Sequence, residues 1–471
     1  MASTLFSKLW DIHEICNLGG SVSLIQIDRI LLHERTGGVA LMALEEAGRK
    51  VRDPSRVFVT MDHVVDTLPG RTDKTIMPTG TDFIVATRDA ARRAGARLFD
   101  IGNARQGIVH VMSPENGIVL PGVTLVCPDS HTCTQGAFGA LAWGIGSSEA
   151  EHALATNTLR VARPKQMRIT VNGRLPEGVT AKDLALHVIA RLGSGGAQGH
   201  VIEYAGEAIA ALTMEERMTL CNMATELAAF TAVIAPDAKT LAWMDGRPYA
   251  PAGADWDKAV ADWEALATDP DATFDLEHEF DAADVSPMVS WGTAPQQSVT
   301  LNGHVPADDE DRGSLAPSNP EADGRARDYM DLRAGDPLSG LPVDAAFIGS
   351  CTNARLSDLR AAAALLKGRK VAEGVKAICV PGSGQVKAAA EAEGLHHTFL
   401  DAGFEWREPG CSMCFFAGGE SFGERERVIS TTNRNFENRQ GPKTRTHIAS
   451  PATVAASAVT GRITDPRELE A

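Results

Sequence analysis

Two short stretches of this chain carry three cysteines between them, and they restrict the possible folds more than any other feature. The stretches are Gly349-Ser350-Cys351-Thr352-Asn353 and Gly410-Cys411-Ser412-Met413-Cys414. A closed structural zinc site takes four protein ligands, and an ordinary iron–sulfur cluster takes four cysteines. Three thiols on one cluster would leave a metal position open for a substrate. The fold must therefore bring both stretches together if they serve a single inorganic centre.

Regular structure is predicted on both sides of Cys351. Residues 343–348 form an apolar run typical of a short buried strand, and the Ala/Leu-rich residues 356–366 have helical spacing. Cys351 then lies on a strand-to-helix turn, where the helix N-terminus favours a thiolate. The C-x-x-C pair follows a Pro-Gly turn and can point both sulfurs at one metal. Other interpretations stay open: a buried core thiol at Cys351, and a redox dithiol or half a zinc site at the pair.

The length of 471 residues predicts about three domains, which we place at residues 1–165, 166–290 and 291–471. All three are predicted to be α/β, because apolar strand-like runs alternate with Ala-rich helical segments. The strands include 57–60, 124–127 and 168–171, and the helices 82–95, 147–158 and 181–192. Residues 303–340 are rich in Asp, Pro and Gly and predict a surface connection, with residues 308–311 as a solvated charge run.

Charge and cysteine usage narrow the function class and the compartment. The net charge of −16 and the pI near 5.3 argue against a nucleic-acid or membrane-surface role. The sequence has neither an apolar run of about eighteen residues nor a secretory signal pattern. Eight cysteines without such a signal favour a reducing cytoplasm over a disulfide framework. Those outside the two stretches are expected to be small core residues: Cys16, Cys127, Cys133, Cys221 and Cys379.

Polar residues follow three apolar runs of the N-terminal domain. They are Asp62-His63 after residues 57–61, His110 after residues 107–109, and Asp129-Ser130-His131 after residues 124–128. Each histidine alone would most often be structural or at the surface. Because ligand sites of α/β sheets collect at the carboxyl ends of strands, the repeated arrangement predicts a site there.

Three further groups of residues are singled out by their spacing. Asn222 and Glu226 are four apart on a predicted helix and share a face, which faces either a site or solvent. Arg434 and Arg439 are candidates for bidentate carboxylate binding. The glycines at 136, 139, 144 and 146 lack G-K-[ST], so they predict close backbone packing rather than a phosphate loop.

In their order along the chain, these motifs resemble the aconitase family. The motifs are Met61-Asp62-His63, Asp129-Ser130-His131, Cys221-Asn222-Met223, the two cysteine stretches, and Asn433-Arg434-Asn435-Phe436. Residues 136–142, 291–293 and 403–407 resemble more closely the isopropylmalate dehydratases, the branch of the family with separate large and small subunits. The likeness runs from about residue 4 to residue 465, and its motifs are ordered and specific.

The resemblance implies a fold of three aconitase-type α/β domains around a central cleft, without the swivelling domain of full-length aconitases. It implies a [4Fe-4S] cluster on Cys351, Cys411 and Cys414, whose fourth iron binds the substrate hydroxyl and one carboxylate. The expected activity is that of a hydro-lyase that isomerises 2-isopropylmalate to 3-isopropylmalate in leucine synthesis. Since the sequence ends at Ala471, the expected partner is a separate small subunit that supplies the swivelling domain.

The family's site roles carry over to the matching residues of this sequence. Asp62 and His63 are expected to protonate the departing hydroxyl. His110 is expected to work with Glu226, and Asp129 with His131. The residues expected to line the site or to hold cluster or substrate carboxylates are Ser130, Asn222, Asn433, Arg434 and Arg439.

Three positions depart from the family pattern. Val39 stands where the family often has a glutamine that contacts a substrate carboxylate. This leaves open a sister hydratase for another small dicarboxylate, namely citraconate, maleate or dimethylmaleate. Pro128 and Asn438 stand where the family has glycine, and both are expected to adjust only a turn.

Two interpretations from other classes stay open. One is a cluster-free RNA-binding form of the kind known among aconitase relatives, against which the acidic balance of this chain counts. The other is a structural zinc protein, which metal analysis would separate from an iron–sulfur enzyme.

Overall fold

The computed structural model describes residues 2–308, 310–311, 313–317, 319–415 and 419–469. The chain divides into two compact units. The first comprises residues 1–64, 79–173 and 197–281, and the second comprises residues 65–78, 174–196 and 282–471. The α/β fold class predicted from the sequence is confirmed, while the three predicted domain boundaries stay a prediction.

Helices are distributed over both units. The α-helices of the described residues are α1 (Leu5–His13), α2 (Gly37–Glu46), α3 (Gly80–Ala94), α4 (Val109–Glu115), α5 (Ser147–Thr156), α6 (Ala181–Leu192), α7 (Glu207–Ala211), α8 (Met214–Met223), α9 (Ala238–Met244), α10 (Ala254–Glu264), α11 (Pro320–Met330), α12 (Leu356–Leu366), α13 (Gly384–Ala392), α14 (Leu395–Ala402) and α15 (Pro451–Thr460). In the described part of the chain, none of them combines the length and the apolar character that a bilayer crossing requires.

Strands are short and mostly buried. They are β1 (Glu14–Gly19), β2 (Val22–Gln26), β3 (Arg29–His33), β4 (Val57–Thr60), β5 (Arg97–Phe99), β6 (Thr124–Cys127), β7 (Leu141–Gly144), β8 (Thr158–Ala162), β9 (Lys165–Asn172), β10 (His200–Ala205), β11 (Thr231–Val233), β12 (Leu276–Asp281), β13 (Met288–Ser290), β14 (Ser298–Thr300), β15 (Ala345–Ile348), β16 (Lys376–Cys379), β17 (Glu405–Trp406), β18 (Arg427–Ser430) and β19 (Arg445–Ile448).

The first unit contains two parallel sheets and one antiparallel sheet. The five-stranded parallel sheet has the order β5-β4-β3-β6-β7, and the four-stranded one has the order β11-β10-β9-β12. In the five-stranded sheet the chain runs outward on one side through β4 and β5 and on the other through β6 and β7. The order therefore reverses between β3 and β6, and ligands of open α/β sheets bind outside the carboxyl ends at such a point.

The second unit repeats this arrangement in a five-stranded parallel sheet of order β17-β16-β15-β18-β19. Its order reverses between β15 and β18. The residues at the carboxyl ends of these two strands are Gly349 to Asn353 and Thr431 to Asn433. One cysteine stretch thus begins at the topological switch point of its sheet.

Several elements agree with the sequence patterns. The segments predicted as helices at residues 181–192 and 356–366 have those bounds in the structure. The capping box of Thr180 and Asp183 explains the start of α6. The glycine segment packs closely as predicted, because a Cβ at Gly136 would lie 1.7 Å from the carbonyl oxygen of Ala232.

Two predictions outside the site are wrong. Residues 303–340 are not only a surface connection, since they contain α11, which is capped by Asn319 and buries Ala326 and Met330. Cys16 is exposed on β1 rather than in the core, whereas Cys127, Cys133, Cys221 and Cys379 are buried as predicted. In the predicted charge run, Asp308, Glu310 and Asp311 are exposed, and Asp309 lies outside the described residues.

His447 on β19 is fully buried, and its neighbours fix its tautomer. Arg427 Nη1 donates to His447 Nε2 at 2.9 Å, so Nδ1 carries the hydrogen and donates to the Ser290 carbonyl oxygen at 2.6 Å. Burial and the charge of Arg427 lower the pKa of His447 from 6.5 to about 3. Burial and the neighbouring His63 likewise lower the pKa of His33 to about 4.

We expect the free energy of unfolding to decrease as the pH falls below 6.5, because the unfolded chain binds protons that these two folded histidines exclude. The contribution of His447 is complete above pH 6.5 and is lost as the pH falls toward 3, at up to about 1.4 kcal/mol per pH unit. Urea unfolding of the wild type and of His447→Asn between pH 7 and pH 4.5 measures this loss of stability.

The variant should lose less stability than the wild type on acidification. His152→Asn, at an exposed position of α5, should keep the wild-type dependence, and the same dependence in both variants would contradict the assignment.

Candidate functional site

In the first unit, acidic and histidine side chains follow the strands at the switch point of the five-stranded sheet. His33 ends β3 and is followed by Glu34, and Asp129 comes directly after β6 and Pro128. The adjacent strand β4 is followed, after Met61, by Asp62 and His63. The polar residues that follow these strands therefore lie together in the structure, while their role as a site stays a prediction.

Asp129 lies at the centre of this group. Its Oδ1 accepts a hydrogen bond from His110 Nε2 at 2.9 Å, and its Oδ2 lies 3.2 Å from His63 Nε2. The backbone N–H of His131 donates to Oδ1 at 2.7 Å. One carboxylate therefore orients two imidazoles and the start of the His131 turn.

Asp62 and His63 form a second carboxylate–histidine pair. The Asp62 Oδ1 lies 2.6 Å from His63 Nδ1, and its Oδ2 accepts the backbone N–H of Val109 at 2.8 Å. Val109 begins α4, so Asp62 also caps the helix that carries His110. Both nitrogens of His63 thus face carboxylates, those of Asp62 and Asp129.

The third pair joins His131 and Glu226, whose Nε2 and Oε1 atoms lie 3.1 Å apart. The side chain of His110 therefore faces Asp129 rather than Glu226, whereas His131 contacts Asp129 through its backbone N–H and Glu226 through its ring, so that the expected working pairs stay a prediction. His131 Nδ1 is 3.7 Å from Asp129 Oδ1, beyond hydrogen-bond distance. Ser130 is exposed beside this pair, with its Oγ 3.3 Å from His131 Nδ1.

Two of the sequence-based placements differ in the structure. His110 lies on α4 rather than at the end of a strand, since the preceding strand β5 ends at Phe99. Asn222 and Glu226 do not share one helix face, because α8 ends at Met223 and Glu226 lies on a 3-10 turn, Ala224–Leu227. Both still approach the His131 segment, and Asn222 Nδ2 donates to Thr134 Oγ1 at 2.8 Å.

The electrostatics of the group favour ionised carboxylates facing histidines. Burial alone would raise the pKa of Asp129, but the hydrogen bond and charge of His110, together with the contacts of His131 and His63, outweigh it and hold the pKa well below its usual range. Burial also opposes the lowering of the Asp62 pKa, which the charge and hydrogen bond of His63 produce. Ionised carboxylates can only accept, so the facing imidazoles supply the exchangeable protons.

Sequence reasoning did not identify His33 and Glu34 as part of this group. The buried Glu34 carboxylate accepts the backbone N–H groups of Asp62, His63 and Val64 at 3.0, 2.8 and 2.5 Å. The His33 ring stacks on that of His63 with a centroid separation of 4.0 Å. These two residues hold the Asp62-His63 turn in place. The sequence did contain a signal that could have identified them. His33 and Glu34 stand at the end of an apolar strand, as the acidic and histidine residues after the neighbouring strands do.

In the second unit, Cys351 lies in the loop between β15 and α12 and is 7% exposed. The buried Arg355 side chain donates to the carbonyl oxygens of Cys351 and Thr352 at 2.8 and 2.5 Å. Asn433, after β18, donates from Nδ2 to the Cys351 sulfur at 3.4 Å. The preceding Ser350 has φ = 82°, a strained conformation for a residue with a side chain. The loop is thus held so that a donor faces the sulfur.

The C-x-x-C pair lies on and beside a short 3-10 turn, Ser412–Cys414, and both sulfurs belong to buried residues. Met413 anchors the turn, because its side chain packs in the core with residues such as Phe347 and Val428. Arg439 Nη2 lies 3.6 Å from the Cys414 sulfur, and its guanidinium is 4.7 Å from the Phe415 ring centre.

One segment, residues 430–440, contacts both cysteine stretches. Thr431 Oγ1 is hydrogen-bonded to the N–H and the carbonyl of Gly349, each at 2.9 Å. Gln440 Nε2 donates to the Met413 carbonyl oxygen at 2.7 Å. Arg434 is partly exposed, and Asn438, where the family has glycine, has φ = 64° and so keeps the left-handed turn. The two stretches are therefore fixed to the same part of the fold.

The donor set around the three cysteines fits a thiolate-bound cluster. Among the described residues, one group of at least three His, Cys, Asp or Glu side chains has ligand atoms that all lie within 4.8 Å of one another. Its members are His33, Glu34, Asp62 and His63, and it does not include these cysteines. All three are free thiols, and donors reach the sulfurs of Cys351 and Cys414, as hydrogen bonds do at iron–sulfur sites.

Comparison with known proteins agrees with these features. A model of the aconitase family (aconitate hydratase) matches residues 7–461. One relative is 50% identical over 467 residues, which cover 99% of this chain and 97% of the relative. It is the 3-isopropylmalate dehydratase large subunit 1 of Bradyrhizobium diazoefficiens (strain JCM 10833 / BCRC 13528 / IAM 13628 / NBRC 14792 / USDA 110).

Proposed function

Because the chain belongs to the aconitase family, we propose that it is the large subunit of a hydro-lyase that isomerises 2-isopropylmalate to 3-isopropylmalate by dehydration and rehydration. This places it in leucine biosynthesis. The observation that carries the substrate assignment is the 50% identity over nearly the full length to a relative with that name. The three carboxylate–histidine pairs support the reaction class, since dehydration requires a proton for the leaving hydroxyl.

We further infer that Cys351, Cys411 and Cys414 hold a [4Fe-4S] cluster. When bound, such a cluster supplies a Lewis-acidic iron without a protein ligand, which polarises the hydroxyl and a carboxylate of the substrate. The chain itself contributes three thiols and two donors to their sulfurs, Asn433 and Arg439. We also propose a reducing, cytoplasmic compartment, because all eight cysteines are free thiols.

The proton-transfer roles follow from the observed pairs. His63, held by Asp62 and Asp129, donates the proton to the departing hydroxyl and recovers it on rehydration. His110 and His131, held by Asp129 and Glu226, keep the donors of the surrounding hydrogen-bonded shell oriented. His110 and His131 each face one carboxylate that fixes the tautomer, and His63 faces one carboxylate at each ring nitrogen, so that both of its nitrogens can donate.

The remaining candidates bind the substrate. Arg434 is partly exposed and has the planar fork that matches a carboxylate. Ser130 lies beside His131, and Asn222 contacts Thr134 of the same segment; the two offer a hydroxyl and an amide. Asn433 and Arg439 act mainly toward the cluster, since their donors already face the sulfurs of Cys351 and Cys414.

The partner is a small subunit that carries the swivelling domain. Support comes from the name of the relative, which is a large subunit, and from its coverage, since this chain spans 97% of it. We expect an affinity-tagged chain that is co-expressed with a candidate small subunit from the same genome to copurify with that subunit and to be inactive alone.

Steady-state assays of this two-subunit complex, purified without oxygen, test the substrate assignment. We expect kcat/KM for 2-isopropylmalate to exceed that for citraconate, maleate and dimethylmaleate by at least about 100-fold, the discrimination that a few side-chain contacts provide. Val39, at the first turn of α2 and 43% exposed, favours the alternative of another small dicarboxylate. Turnover of citraconate or maleate without turnover of isopropylmalate would establish that alternative.

A further inference from the structure

Lys182 on α6 is the only buried lysine in the described part of the chain, with 1% of its surface exposed. Its Nζ donates to the carbonyl oxygens of Thr431 and Thr432 at 3.1 and 2.8 Å. An ammonium group has three donors, so one has no acceptor among the described residues. Burying a cation without a paired anion costs several kcal/mol.

The nearby carboxylates are used elsewhere. Asp183 accepts the backbone N–H of Met288 at 2.8 Å and that of Thr180 at 2.9 Å. Asp358 accepts from Asn353 Nδ2 and from the Arg355 N–H at the start of α12. No carboxylate of the described residues therefore forms an ion pair with Lys182, and the charges of Asp358 and Asp183 act on it only through space.

The cluster thiols lie within electrostatic reach of this ammonium. Burial lowers the pKa of Lys182 to about 7, and the charges of Asp358, Cys351 and Cys414 oppose that shift. The carbonyls that Lys182 holds directly precede Asn433, which donates to the Cys351 sulfur. Lys182 thus connects to the thiol site both through its charge and through the backbone at the end of β18.

We propose that Lys182 is the buried counter-charge of the iron–sulfur cluster and that it retains the cluster on the chain. This inference rests on the proposed function. A [4Fe-4S] core on three thiolates carries a net negative charge, and a dicarboxylate substrate adds to it. An ammonium in a low-dielectric environment stabilises such an anion far more than it would in water. The cluster therefore offsets the unfavourable burial of Lys182 further than the carboxylates alone.

Cluster-retention measurements on Lys182→Met and Lys182→Gln test the proposal. Both variants should release iron on exposure to a chelator about tenfold faster than the wild type, as the loss of one charge-assisted contact predicts. The reduction potential of the cluster should become more negative, because a positive charge is lost beside it. Lys367→Met, at an exposed position after α12, is the matched control and should keep the wild-type rate.

The glutamine variant separates charge from anchoring. Its amide can still donate to the carbonyls of Thr431 and Thr432, so a structural clamp would be rescued, whereas a counter-charge would not. For the cluster-free chains, we expect the urea midpoints of both variants to equal or exceed that of the wild type, since a buried charge is removed. Lower midpoints, or rescue of cluster retention by glutamine, would show a structural clamp and overturn the proposal.

The outcomes also distinguish this inference from the function on which it rests. A wild-type chain that assembles no cluster overturns both. A wild-type chain that holds a cluster, with variants that release it at the same rate, overturns the role of Lys182 and leaves the proposed function intact.

Discussion

Replacing Cys351 by alanine should abolish cluster assembly and lower dehydratase activity by at least about 10³-fold, since both the open iron position and its Lewis acidity depend on the cluster. The Cys351 loop carries a sulfur with a donor already facing it, Asn433 Nδ2 at 3.4 Å. Two thiols would remain, too few to hold a cubane at three corners. Iron and sulfide per chain, the visible absorption spectrum and the activity of the two-subunit complex measure the loss.

Cys379 provides the matched control for this prediction. It ends β16, the strand beside β15, and burial raises the pKa of its thiol well above the usual value, as for an inert core cysteine. The Cys379→Ala variant likewise removes one sulfur, at the carboxyl end of the strand that neighbours β15. We expect it to keep its iron and most of its activity. If Cys351→Ala keeps full iron content, or if both variants lose iron equally, the ligand assignment is wrong.

The Asp129→Asn variant should lower kcat by about 10³-fold while leaving the cluster spectrum and KM nearly unchanged. The carboxylate accepts from His110 and His63, and an amide can offer only one oxygen to these two rings. Its NH₂ group would face a nitrogen donor, so one imidazole would rotate or change tautomer.

Asp89→Asn, at an exposed position of α3, tests whether removal of any acidic charge from this unit has the same effect. It should retain wild-type kinetics. A kcat of Asp129→Asn within threefold of the wild type would exclude Asp129 from the proton-transfer network. A loss of cluster absorbance in the variant would instead indicate a structural role.

Local patterns in the sequence were sufficient to predict those helices and strands whose formation depends only on neighbouring residues. The apolar run that forms β15, the Ala-rich α12 and the capped α6 have the predicted types and nearly the predicted bounds. The run before His110 was too short to distinguish a strand from a helix start, and the Asp62 cap that settles it comes from a distant residue. α11 was missed because it buries few apolar residues.

The sequence could not predict which side chains from distant parts of the chain contact each other. The residue types of the carboxylate–histidine network were predicted, but spacing does not determine whether His110 or His131 faces Glu226. Lys182 shows the limit more clearly, because a lysine in the first turn of an amphipathic helix has the pattern of a surface residue. Its burial follows from contacts with Thr431 and Thr432, about 250 positions later, as the structure shows.

The attachment of both cysteine loops to residues 430–440 has a consequence for biosynthesis. Thr431 and Gln440 leave the ribosome after all three cysteines, so a nascent chain exposes its thiols before the residues that fix their spacing exist. If the three thiols hold a cluster, as we propose, the cluster is delivered after translation, to a finished polypeptide. A nonsense mutation shortly after Cys414 would then yield a product that has all three cysteines but lacks the segment that fixes their loops.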